Sequence, residues 1–176
     1  MFYFDGNLKR YEAEYSWDKS LLYLERSFQE EPTTEKLNSL VGFAWYYLIE
    51  GPIDSKKYGN DENIIALDIW EKYLDVGFKQ YFSSPGFCFV AGYSLLMHGF
   101  YLEKYKINYQ QVGIELLNKA IDFADKNLQE VVNVILKHLK QRKYKPLKVK
   151  HDVLEQIFRG ESLLEGYFKE LYADCC

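Results

Sequence analysis

Proline is scarce in this sequence: four residues in 176, at positions 32, 52, 85 and 146. The long intervals between them leave room for uninterrupted helices, whose interiors proline would break. Long hydrophobic runs are missing as well. None reaches the roughly 20 residues needed to span a bilayer, and Met1-Phe2-Tyr3-Phe4-Asp5-Gly6 has neither a basic leader nor an apolar core, so no signal peptide is read there. Cysteine occurs three times. Cys88 lies in an apolar stretch and reads as a small core residue. Cys175 and Cys176 match a double prenylation signal in form, but no phosphate-cradling loop accompanies them, and they read as a frayed tail. These features point to a cytoplasmic protein with no membrane segment. With no low-complexity stretch or linker, residues 1–176 are expected to form a single domain.

The motifs of chemistry are also missing. The three histidines, His98, His138 and His151, are far apart, and none stands in the clustered spacing a zinc site requires. There is no Gly-x-Ser-x-Gly, no phosphate loop and no dinucleotide fingerprint. Glu12 and Glu14 flank Ala13 on what reads as a solvated face. The expectation is a protein that is not an enzyme and holds no metal or cofactor.

What the chain does have is aromatic residues, 18% of the total, with 16 Tyr and 12 Phe. Large rings fill gaps between packed helices. Alternatively some of them face a partner, since aromatics are enriched at interface centres. Charge is unevenly placed. Residues 137–150 hold seven Lys or Arg and no acid, between a first segment of net −7 and a last of net −4. Basic residues near a helix C-terminus favour the dipole, and the acidic remainder would repel nucleic acid. The acidic surface fits a basic protein partner.

Two patterns recur. Leu24-Glu25-Arg26-Ser27-Phe28 returns as Trp70-Glu71-Lys72-Tyr73-Leu74 and as Leu117-Asn118-Lys119-Ala120-Ile121, at offsets of 46 and 47 residues. Between them Leu40, Phe43, Ala44, Tyr47 and Gly51 correspond to Cys88, Ala91, Gly92, Leu95 and Gly99, at an offset of 48. Two helix types that alternate and recur indicate an all-α stack of helical hairpins. About eight helices are expected: 17–30, 34–50, 61–78, 85–102, 108–127, 128–143, 149–158 and 162–173. Ser16, Thr33 or Thr34, and Ser84-Pro85 supply starts. Gly51-Pro52 supplies a stop, with Gly51 in the left-handed position. Leu21, Leu24 and Phe28 form the inner stripe of the first helix; Leu67, Trp70, Tyr73 and Leu74 share a face of the third. Val112, Leu116, Ala120 and Phe123 are expected to line the inner face of the fifth.

The helix ending at Glu30-Glu31-Pro32, followed by the helix with Leu40, Phe43, Ala44, Tyr47 and Gly51, resembles the tetratricopeptide repeat over about residues 17–127. The family period is about 34 residues, shorter than the spacing here, so the likeness is to a loosened TPR-like stack, with residues 128–173 as closing helices. In such stacks the first-type helices line a concave side. The resemblance then places Trp45 and Tyr93 there, with Val41 and Phe89 one turn earlier and Glu50, Asp61 and Glu62 as a polar rim. The other reading of the four apolar residues is core beneath the C-terminal helices folding back.

In overall character the chain resembles bacterial toxin-immunity proteins, including those of contact-dependent growth inhibition systems. That likeness implies stoichiometric binding and neutralisation of a cognate basic toxin domain, commonly a nuclease. The alternative is a TPR-like adaptor or chaperone that holds a peptide in its groove.

Overall fold

Short polar side chains set where most of the helices begin. A computed structural model describes residues 1–51, 61–105, 108–141, 149–158 and 162–172, with backbone alone at 61–64, 103–105 and 138–141. Asp5 accepts the Asn7 and Leu8 N–H groups and opens α1 (Gly6–Ala13). Thr33 caps α3 (Thr34–Glu50) through Lys36 N, and Ser84, followed by Pro85, caps α5 (Pro85–His98) through Phe87 N. Asn108 caps α6 (Tyr109–Phe123), and Asp125 accepts from Leu128 N in α7 (Lys126–Gln141). Each such bond satisfies an N–H that the helix itself cannot. The remaining helices are α2 (Trp17–Glu30), α4 (Asp61–Gln80), α8 (His151–Ile157) and α9 (Leu163–Tyr172). Among the described residues there is no sheet, and the fold is the all-α arrangement of helical hairpins that the recurrence predicts.

Several local expectations are corrected. Ser16 precedes α2 but makes no side-chain cap; its carbonyl instead accepts from Ser20. Gly51 ends α3 in an extended conformation, φ −59°, not the left-handed one. The helix predicted to run to 102 ends at His98 and continues as a 3-10 turn, Gly99–Tyr105. α1 lies in a stretch where no periodicity is visible, because only Leu8 and Glu12 of its residues turn inward. Glu12, expected on a solvated face, is 6% exposed. On α6, Leu116 and Ala120 are buried as predicted, but Val112 is half-buried and Phe123 is 54% exposed.

α3 and α5 lie at the centre. α5 is buried without a break from Phe87 to Leu96, as a helix apolar on all sides must be; α3 is buried from Lys36 to Trp45, its polar Lys36, Asn38 and Ser39 bonded to Glu31, Met1 O and Tyr3 O. α2 and α4 pack on α3, α6 packs on α5, and α7 follows α6. The α5–α6 crossing is close because glycine faces glycine. A Cβ on Gly92 would stand 3.0 Å from Gly113 O, and one on Gly113 would stand 2.7 Å from Leu96 N and 2.8 Å from Gly92 O. Backbone atoms cannot give way as a side-chain tip can, so Gly113→Ala must push the helices apart. We expect a loss of roughly 2–3 kcal/mol despite alanine's better helix propensity. Gly166 of α9 has open space where its Cβ would go, so Gly166→Ala should stabilise by up to about 1 kcal/mol. Urea denaturation of the two variants checks both signs.

Candidate functional site

The four apolar residues placed on a concave face do lie on one side of α3 and α5, but that side is closed. Val41, Trp45, Phe89 and Tyr93 are each no more than 1% exposed. α9 lies over them, carrying an apolar stripe of Leu164, Phe168 and Tyr172. The Phe168 ring stands 5.2 Å from Tyr93, 5.3 Å from Phe89, 5.2 Å from Phe158 and 6.3 Å from Trp45. Leu164 approaches α3 where Gly42 leaves room: a Cβ there would meet its Cδ2 at 2.5 Å. The exposed reading of these four residues is therefore corrected to core, covered by a C-terminal helix that folds back.

α9 is fastened at both ends. Leu163 N donates to Glu12 Oε2 at 2.9 Å, and Val149 N donates to Tyr172 O at 2.9 Å. The first bond brings a carboxylate inside. Burial, with the Glu165 carboxylate nearby, pushes Glu12 up to about 7, against the pull of the Leu163 N–H. Glu12 Oε1 has no hydrogen-bond partner among the described residues.

Of the predicted rim, Glu50 is exposed at the end of α3. Asp61 and Glu62 start α4 as expected, but their side chains lie outside the described residues, as does most of the basic segment 137–150 and the pair Cys175 and Cys176. Glu50 has aromatic neighbours from three elements. Burial raises the Tyr46 hydroxyl, and Glu50 and then Glu170 add to it; burial and Glu50 likewise raise Tyr167. Burial lowers His98, against the same Glu50 carboxylate. Tyr46 and Tyr167 stand 5.3 Å apart, centroid to centroid. They line a cavity of about 620 Å³ with Glu50, Glu170, Ser162 and Leu171.

His98 links this cavity to a second patch. Trp45 Nε1 donates to His98 Nδ1 at 3.1 Å, which leaves Nε2 to carry the proton of the neutral ring. The imidazole stacks on Tyr101 at 6.2 Å and meets Phe100 at 5.8 Å. Met97, Phe100 and Tyr101 are 42%, 56% and 44% exposed. The surface thus joins two exposed carboxylates to Tyr, Phe and Met side chains, the residue types enriched where proteins meet. Sequence reasoning found Glu50 alone of this set. Tyr46, four residues before it, carried the only local signal, because residues four apart share a helix face.

Among the described residues no group of three His, Cys, Asp or Glu could hold a metal, and burial pushes the one described thiol, Cys88, up to about 11. No described helix is long and apolar enough to cross a membrane. No family model, no curated protein and no solved structure matches the chain.

Proposed function

We propose that this chain is a protein-binding module that docks a folded basic protein and neutralises it stoichiometrically, as an immunity protein does its toxin. The observation that carries the reading is the Tyr46–Glu50–Tyr167–Glu170 surface. A Lys or Arg of the partner entering that cavity would meet two carboxylates and two ring faces, and ion pairing and cation–π attraction act together there. Met97, Phe100 and Tyr101 beside it supply the apolar contact area, and the net charge of −4 would steer a basic partner to the encounter. Covering the partner's basic active surface is how such docking would block a nuclease. The reading keeps the chain a loosened TPR-like stack. Its adaptor alternative is disfavoured by α9, which already occupies the face where Trp45 and Tyr93 would hold a peptide.

The test is a pull-down from the source organism, followed by kinetics with the partner recovered. Glu50→Lys with Glu170→Lys should slow association at least tenfold and flatten its dependence on salt. The melting temperature should not move, since both side chains are exposed. An association rate equal to wild type, or binding only of short unfolded segments, would overturn the proposal.

A further inference from the structure

A groove of about 720 Å³ with no α9 residue among its described lining opens between α4 and α6. Leu74 and Phe78 of α4 and Leu95 of α5 lie in it, Tyr109 and Val112 of α6 form one wall, and Leu102 adds to the lining. The other wall carries acids at one line of α4: Asp68, Glu71 and Asp75, whose i, i+3, i+7 spacing sets them along a single face. Asp68 makes no ion pair among the described residues, Asp75 pairs with the exposed Lys79 at 2.6 Å, and both carboxylates are exposed. Lys72, the cation among the described lining residues, is held by Glu25 at 2.8 Å.

We infer that this groove receives an amphipathic α-helix of a protein partner, with apolar side chains on the Leu74–Phe78–Leu95 floor and Lys or Arg along the flank that faces α4. Both walls are helices whose backbone groups bond within themselves, so an extended peptide would find no N–H or C=O to pair with. A helix satisfies its own backbone and presents only side chains. From Asp68 to Phe78 the wall spans about 15 Å at 1.5 Å per residue, the length of roughly three turns. Among the described lining residues the charge lies on the α4 wall, which fixes the orientation of the bound helix about its axis: basic flank to α4, neutral flank to α6. A second copy of this chain would bring the same acids against themselves, and an anionic membrane surface would be repelled by them. This site goes beyond the Glu50 surface and does not depend on it.

A displayed library of 14-residue helices, randomised at every position, tests the inference. Selection on this protein should enrich sequences with apolar residues at i, i+3, i+4 and i+7 and with Lys or Arg on one flank. Binding of the enriched helices should fall at least tenfold on Asp68→Lys with Asp75→Lys, and remain on Glu50→Lys with Glu170→Lys. The inference is overturned if no helical pattern is enriched, if acidic or neutral helices win, or if the winners bind Asp68→Lys/Asp75→Lys unchanged. Winners that lose binding only on Glu50→Lys/Glu170→Lys would belong to the Tyr46–Tyr167 surface, and would sink the groove while leaving the proposed function standing.

Discussion

Phe168→Ala should lower the stability of the fold by about 3–5 kcal/mol, the range for deleting a buried phenylalanine ring, and should do so by loosening α9. The ring is 1% exposed and touches the rings of Phe2, Trp45, Phe89, Tyr93, Phe158 and Tyr167. Those partners come from the N-terminal segment, α3, α5 and the α8 end as well as α9 itself, so no single helix can shift to refill the space. α9 has ten residues, too few to persist alone in water; its order comes from this packing. Urea denaturation gives the magnitude. Tryptophan emission gives the location, because Trp45 meets both Tyr167 and Phe168 of α9 whereas, among the described residues, Trp17 has ring contacts on α3 alone and Trp70 contacts no ring of α9. A loss below about 1 kcal/mol, or an unchanged emission maximum, would mean that α9 is not held by this cluster.

The second large effect is in pH. Stability should fall as pH rises from about 5 to 8, on the order of 3 kcal/mol in total. Glu12 sits at about 7 in the fold against an ordinary 4.5. Between those values the folded chain keeps a proton that the unfolded chain has released, so raising pH favours unfolding; below 4.5 both states are protonated and the term vanishes. The groups that face Glu12 do not offset this. Glu165 is of like charge, Tyr46 is near enough to be raised by it, Tyr3 lines the same small cavity, and no described cation bonds to it. Asp5 works the other way. Burial alone would raise it, but hydrogen bonds from Leu8, Tyr23, Tyr3 and Asn7 hold it below its usual range, and that contribution is lost only as pH falls through the acid range. Glu12→Gln keeps an oxygen for the Leu163 N–H and removes the charge. It should leave stability at pH 5 nearly unchanged, raise it at pH 8, and flatten the curve between. A flat wild-type curve over this range would refute the assignment.

These two residues mark where the sequence was legible and where it was not. Helix starts at Thr33 and Ser84 could be read because a cap and the N–H groups it satisfies are three residues apart. The shared face of Val41, Trp45, Phe89 and Tyr93 could be read because helical spacing is local too. What lies on that face is decided by residues 163–172, 70 or more positions from Tyr93, and no short-range pattern specifies which of two apolar faces will meet. Glu12 was misread for the same reason. Beside Ala13 and Glu14 it has the composition of a solvated turn, and only Leu163, 151 residues away, brings it inside. The Glu50 surface is assembled from α3, α5 and α9 at once, so the chain shows its parts but not their meeting.

Because α9 covers the centre of α3 and α5, the interior is completed last in time as well as in sequence. A ribosome adding about 5–20 residues per second takes roughly 4–16 seconds between Tyr93 and Tyr172. Through that interval a nascent chain carries Trp45, Phe89 and Tyr93 with no helix over them. The face that is sealed in the finished protein is an open apolar surface during synthesis, and a chaperone that binds exposed aromatic residues would find it there and nowhere afterwards.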